Sequence, residues 1–133
     1  MATKNPYQAY QNNSVTTASP GELTLMLYNG CLKFIHLAKQ AIEQNNIEEK
    51  HKNLIKAQNI IRELMVTLEP KFDGAENMMR LYDFMLQELI AANLKNDIKK
   101  LNDVEELVTG FRDTWKEVIQ LNRKQSYAQG GKA

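Results

Sequence analysis

"SPGELTLMLYNGCLKFIHLAKQAIE", residues 19–43, decides the fold. Ser19 can cap a helix, and Pro20 suits the first helical position, where its missing N–H is no loss. Glu22, three residues after Ser19, completes a capping box. Leu23, Leu27, Cys31, Phe34, Ala38 and Ala41 then recur at the three- and four-residue spacing of a helix that buries one face. The spacing predicts a first helix that ends near Gln44, where the Asn45-Asn46 pair breaks the pattern.

The same reading works outward. Asn46 with Glu49 forms a second capping box, followed by the stripe Ile47, Leu54, Ala57, Ile61, Leu64 and Leu68, which Pro70 stops. Asp73 with Glu76 reads as a third capping box, ahead of Met78, Leu81, Met85, Leu89 and Ala92 and a helix end near Asn96. Asp97 caps a fourth helix, with Leu101, Val104, Val108, Phe111, Trp115 and Val118 facing inward. Gly110 inside that helix costs about 1 kcal/mol relative to Ala and is read as a mark of close helix packing. Four long helices joined by short breaks imply an all-α fold, an antiparallel four-helix bundle with a mobile N-terminal segment. The expected organisation is a flexible segment over residues 1–18, the bundle over 19–124 and a disordered tail over 125–133.

Size and composition agree with one modest core. The chain has 133 residues, 43% of them apolar and 25% charged. Its 17 basic and 16 acidic residues nearly cancel, which argues against nucleic-acid binding and gives no electrostatic reason to sit on an anionic membrane. The start, MATKNPYQAY, lacks the apolar run of a signal peptide, and no run of about 18 apolar residues suggests a membrane span. A single Cys31 cannot form an internal disulfide, so a reducing, cytoplasmic home is expected, without stable membrane insertion.

Chemistry is sparse. A di-iron bundle needs Glu-x-x-His units on two helices, and this chain offers one, Glu48 with His51, while His36 has Lys33 three residues before it. No triad spacing and no glycine-rich phosphate loop occurs. Cys31 lies on the core stripe, as a small buried hydrophobe does. No enzyme, cofactor or metal site is expected.

Apolar surface, by contrast, is in surplus. Leu25, Tyr28, Leu32 and Ile35 point away from the main stripe of the first helix. Met79, Leu86 and Ile90 line a second strip on the third helix, and Ile55 and Val66 do so on the second. A contiguous strip of this kind on a monomer marks an interaction surface. Tyr7, Tyr10 and Val15 stand in an otherwise polar leader that can fold over such a strip when nothing else fills it. The alternative is a self-associating structural or regulatory bundle in which the strips of two copies meet.

Long collinear stretches carry a resemblance: "NPYQAYQNNSVTTASPGELTLMLYNGCLKFI" (5–35), "LIKAQNIIRELMVTL" (54–68), "LYDFMLQELIAANLKND" (81–97) and "FRDTWKEVI" (111–119). The chain resembles the flagellar secretion chaperones of the FliS type, most closely Gram-positive members. "EPKFDGAEN" (69–77) departs from the family's commoner Gly-Gly-Glu pattern. The resemblance implies a four-helix bundle that binds the disordered C-terminal segment of flagellin in the cytosol and prevents its premature polymerisation. It also implies delivery to the cytoplasmic domain of the export gate protein FlhA. The client groove would then comprise Leu25, Tyr28, Leu32, Ile35, Ile55, Val66, Met79, Leu86 and Ile90, with Tyr7, Tyr10 and Val15 as N-terminal cap and gate contact. A homodimer is the state considered for the chain free of client.

Overall fold

In the computed structural model the described residues are 20–130 apart from Phe72, with side-chain surroundings described from 21 to 124. They form four helices: α1 (Pro20–Glu43), α2 (Ile47–Thr67), α3 (Ala75–Lys95) and α4 (Ile98–Gly130). Helix α1 packs on α2 and α4, and α3 packs on the same two, so the four make a closed square with four seams. The expected all-α four-helix bundle is the fold. Helix α4 runs on to Gly130, a correction to the tail expected from residue 125.

Two reversals use one device. Asn45 and Asn96 take the left-handed conformation, at φ 57° and 54°, which Asn tolerates better than most side chains. After α1, the Asn46 N–H reaches the Ala41 carbonyl at 2.8 Å and the Asn45 N–H reaches that of Ile42 at 3.1 Å, satisfying two orphan acceptors. Asn46 then starts the next helix, its Oδ1 accepting the Glu49 N–H at 3.1 Å. After α3, Asp97 N–H bonds the Ala92 carbonyl at 3.2 Å, and Asp97 Oδ1 accepts from Lys100 N–H at 3.3 Å to open α4.

The third reversal differs from expectation. Asp73 does not cap α3; the N-cap is Gly74, at φ 93°, with no side-chain cap bond. A φ in that range suits glycine, and the turn it makes moves Asp73 out of capping register.

Lys50 is buried on α2, and its ammonium closes the far end of α3. It donates to the Asn93 carbonyl at 2.6 Å and to Asn96 Oδ1. A cation there meets the negative end of the α3 dipole and takes a carbonyl the turn leaves open.

The core is Leu27, Cys31, Ala38, Leu54, Ile61, Met85, Leu89, Leu101, Val104 and Val108 with their neighbours. Gly110 has open space where a Cβ would stand, so its reading as a packing contact is corrected. The close approach is instead at Gly30 on α1, whose added Cβ would lie 3.2 Å from Ile60 Cδ1 on α2. Gly110→Ala is therefore expected to stabilise the chain by about 1 kcal/mol, and Gly30→Ala to give none of that gain. Urea midpoints of the two variants check the contrast.

Candidate binding surface

Nine residues were expected to lie on leftover apolar surface, and the bundle divides them three ways. Tyr28, Ile35 and Leu86 are core residues, and their placement on open surface is corrected. The reason is geometric. Buried positions on α1 run from Ala41 to Tyr28 around the helix, an arc of about 140° at 100° per residue, because α1 faces two neighbours and the bundle axis together.

Leu25 and Leu32, both half-buried, lie on the α1–α4 seam. Leu32 borders a groove of about 710 Å³ with His36, Asn102, Glu105 and Arg112. Leu25 borders one of about 300 Å³ with Met26, Ile119 and Arg123. Ion pairs tie this seam, Lys39 Nζ to Glu105 Oε1 at 3.0 Å and Arg123 to Glu22. A third, Lys100 Nζ to Glu88 Oε2 at 3.0 Å, ties α3 to α4.

The remaining four, Ile55, Val66, Met79 and Ile90, mark the α2–α3 seam. Contacts at one end fix which faces meet there: Asn93 Nδ2 on α3 lies 2.9 Å from His51 Nδ1 on α2. Ile55 is one turn along from His51, and Val66 about three turns further on the same face. On α3, Ile90 precedes Asn93 by three residues, and Met79 is about three turns before it. The two helices run antiparallel, so Ile55 stands near Ile90 and Val66 near Met79. Val66 is 79% exposed, and Ile55 and Met79 are more than a third exposed. The strip extends over residues not singled out from sequence: Leu94, 80% exposed, continues the α3 face one turn beyond Ile90, and Ile47, assigned to the core stripe, is 51% exposed at the start of α2. Phe84, also exposed, sits on the outer face of α3. From Met79 to Leu94 the strip is about 22 Å long.

At the α2–α3 loop end the bundle has a cleft of about 480 Å³, lined by Thr24, Tyr28, Leu64, Thr67, Leu68, Met78, Tyr82 and Trp115 among others. On its wall, Trp115 Nε1 donates to the Gly21 carbonyl at 2.7 Å, pinning α4 to the start of α1. Its floor is a pair of hydroxyls, Tyr28 Oη and Tyr82 Oη, 2.7 Å apart, each residue 2% exposed. Phe111 stacks on Tyr28 at 6.0 Å between ring centroids and meets Tyr82 edge-on at 6.3 Å. Tyr82 lies in no stripe read from the sequence; its partner is 54 residues away, and no local period reports that.

Burial pushes the Tyr28 and Tyr82 hydroxyls up from their ordinary value, with their shared hydrogen bond raising Tyr82 further and lowering Tyr28. Burial alone pushes the Cys31 thiol up from 9.0 to about 12. The folded chain thus holds protons that the unfolded chain releases. Stability from the thiol is fully present below pH 9.0 and is lost as pH rises toward about 12. Urea midpoints should fall across that window, and less steeply in Cys31→Ala.

Tyr7, Tyr10 and Val15 lie outside the described residues. Among the described residues no group of three or more His, Cys, Asp or Glu side chains is placed to hold a metal ion. No described helix is long and apolar enough to cross a membrane.

The model of the family described as flagellar protein FliS matches residues 3–122. The chain is 58% identical over 131 residues to the flagellar secretion chaperone FliS of Bacillus subtilis (strain 168), covering 98% of each chain. It is 37% identical over 110 residues to the flagellar secretion chaperone FliS of Escherichia coli (strain K12), covering 80% of this chain and 81% of the relative. A crystal structure of a bacterial flagellar chaperone superimposes with TM-score 0.72 at 18% identity, covering 87% of this chain and 98% of that one, a likeness of fold.

Proposed function

The chain belongs to the FliS family of flagellar secretion chaperones, which is not a class of enzymes, and we propose that its client is the C-terminal segment of flagellin. The observation that carries this reading is the uncovered apolar strip on the α2–α3 seam, from Val66 and Met79 to Ile47 and Leu94. A surface of that length suits an amphipathic helix laid into a groove, read at positions three and four residues apart. The half-buried Leu25 and Leu32 on the opposite seam suit a client that continues around the bundle.

The energetics support a disordered client. Folding on binding costs about 2–5 kcal/mol in ordering and is repaid by burying apolar area, about 1,000–3,000 Å² in such complexes. No nucleotide enters: the chaperone sequesters flagellin in the cytoplasm by mass action and prevents premature polymerisation. The client is then handed to the cytoplasmic domain of FlhA. In this reading Tyr7 and Tyr10 present rings to that gate, and with Val15 they fold back over the strip when client is absent.

Calorimetry with a flagellin C-terminal peptide tests the reading: one-to-one binding with a clearly negative heat-capacity change is expected, and no binding heat at any temperature would end it. Tyr7→Ala with Tyr10→Ala should weaken FlhA binding about tenfold and leave peptide affinity within about threefold. An equal collapse of both would assign the leader to the client groove.

A further inference from the structure

Among the described residues, the Tyr28–Tyr82 pair holds one more hydrogen than it uses. Each phenol carries one O–H donor, and the two oxygens share a single 2.7 Å hydrogen bond. One O–H therefore donates to its partner, and the other has no acceptor among the described residues. Both residues are nearly fully buried, both line the cleft, and a buried donor without an acceptor is costly. A phenol is protonated at neutral pH and burial pushes both hydroxyls further up, so the spare donor persists.

The walls around that donor are largely apolar, Leu64, Leu68, Met78 and the Trp115 ring, and include the Thr24 and Thr67 side chains. A water satisfies the hydroxyl and leaves those walls wet. An amide carbonyl attached to an apolar side chain answers both. At the mouth stand Glu69 and Lys71, one charge of each sign, which gives no preference for a charged guest. The cleft stands at the same end of α2 and α3 as Val66 and Met79: Thr67 and Leu68 follow Val66, and Met78 precedes Met79.

We infer that this cleft is a subsite for the client chain, which inserts a bulky apolar side chain and sets a neighbouring backbone carbonyl against the spare O–H of Tyr28–Tyr82. This rests on the client reading above and adds a selection rule to it. The strip accepts any apolar helix face, whereas the cleft demands an anchor with an accessible carbonyl, as at a helix end or an extended turn.

The chain's single tryptophan, Trp115, stands on the cleft wall and reports its occupancy. The experiment uses the full chain, a tryptophan-free flagellin C-terminal peptide, emission of Trp115 and calorimetry, in the wild type and in Tyr28→Phe with Tyr82→Phe. The peptide is expected to shift Trp115 emission to the blue, saturating at one to one. The double variant should raise Kd about tenfold, the size of one buried hydrogen bond, while its thermal midpoint stays level or rises because both polar partners leave together. Peptide binding that leaves Trp115 emission unmoved, or a Kd within about twofold of wild type in the variant, overturns the subsite and leaves the client reading standing. Emission that moves to the red in Tyr7→Ala with Tyr10→Ala, without peptide, and is unmoved by peptide in the wild type assigns the cleft to the leader and likewise overturns it. No binding heat with the wild type removes the client reading, and the subsite with it.

Discussion

Tyr28→Ala should cost the fold about 4 kcal/mol. Tyr28 is among the largest fully buried side chains, stacked on Phe111 and bonded to Tyr82. Truncation opens a cavity that the closed square of helices cannot refill, a loss of about 3–5 kcal/mol for a buried aromatic. It also leaves the Tyr82 hydroxyl buried without a partner. Against a total of about 5–15 kcal/mol, such a loss brings the chain near its stability threshold. Leu25→Ala, on the half-buried α1–α4 seam, should cost about 1 kcal/mol. Urea unfolding followed by far-ultraviolet circular dichroism separates the two. Equal losses would mean that Tyr28 is not the keystone its contacts describe.

Ile55→Glu with Met79→Glu should weaken flagellin-peptide binding by about a hundredfold or more, while the thermal midpoint moves by only a few degrees. Both side chains are more than a third exposed on the α2–α3 seam, so the free chain solvates the new carboxylates readily. A bound apolar helix would bury them unpaired, at about 2 kcal/mol or more each. Calorimetry gives the affinity and a thermal melt gives the fold. A variant that binds like wild type would remove the strip from the client site.

Much of the fold was legible because its signals are local. The caps at Asn46 and Asp97, the stop before Pro70 and the three- and four-residue periods each involve residues within a turn or two of each other. What was not legible depends on helices meeting. Tyr28 and Leu25 share one strip in the sequence, yet Tyr28 sits about 70° from the centre of the buried face of α1 and Leu25 about 130° from it. Only the width of the α1 contact with two neighbours decides which is sealed. Lys50 lies on no stripe read from the sequence and is buried where the end of α3 arrives beside it. Gly110, read as a packing contact, faces open space, and the close approach is at Gly30, since close approach is a property of the partner helix.

The binding surface was half legible for the same reason. Ile55 and Val66, like Met79 and Ile90, repeat at about three turns; Ile55, Val66 and Met79 stay open in the bundle, and Ile90 is half-buried against the core. Leu94 and Ile47 extend the strip, but sit near helix ends where a short stripe has no clear phase. The cleft floor joins Tyr28 to Tyr82 across the bundle, a pairing that nothing in either helix encodes alone.

Photo-crosslinking from single positions tests most directly whether the α2–α3 seam holds flagellin. A benzophenone amino acid replaces Met79 on that seam in one chain, and Lys56 beside the Phe34 ring in another. Flagellin should be captured in high yield from position 79 and only at background from position 56, with the crosslink mapping to its C-terminal segment. Capture from position 56 with none from position 79 would contradict the account.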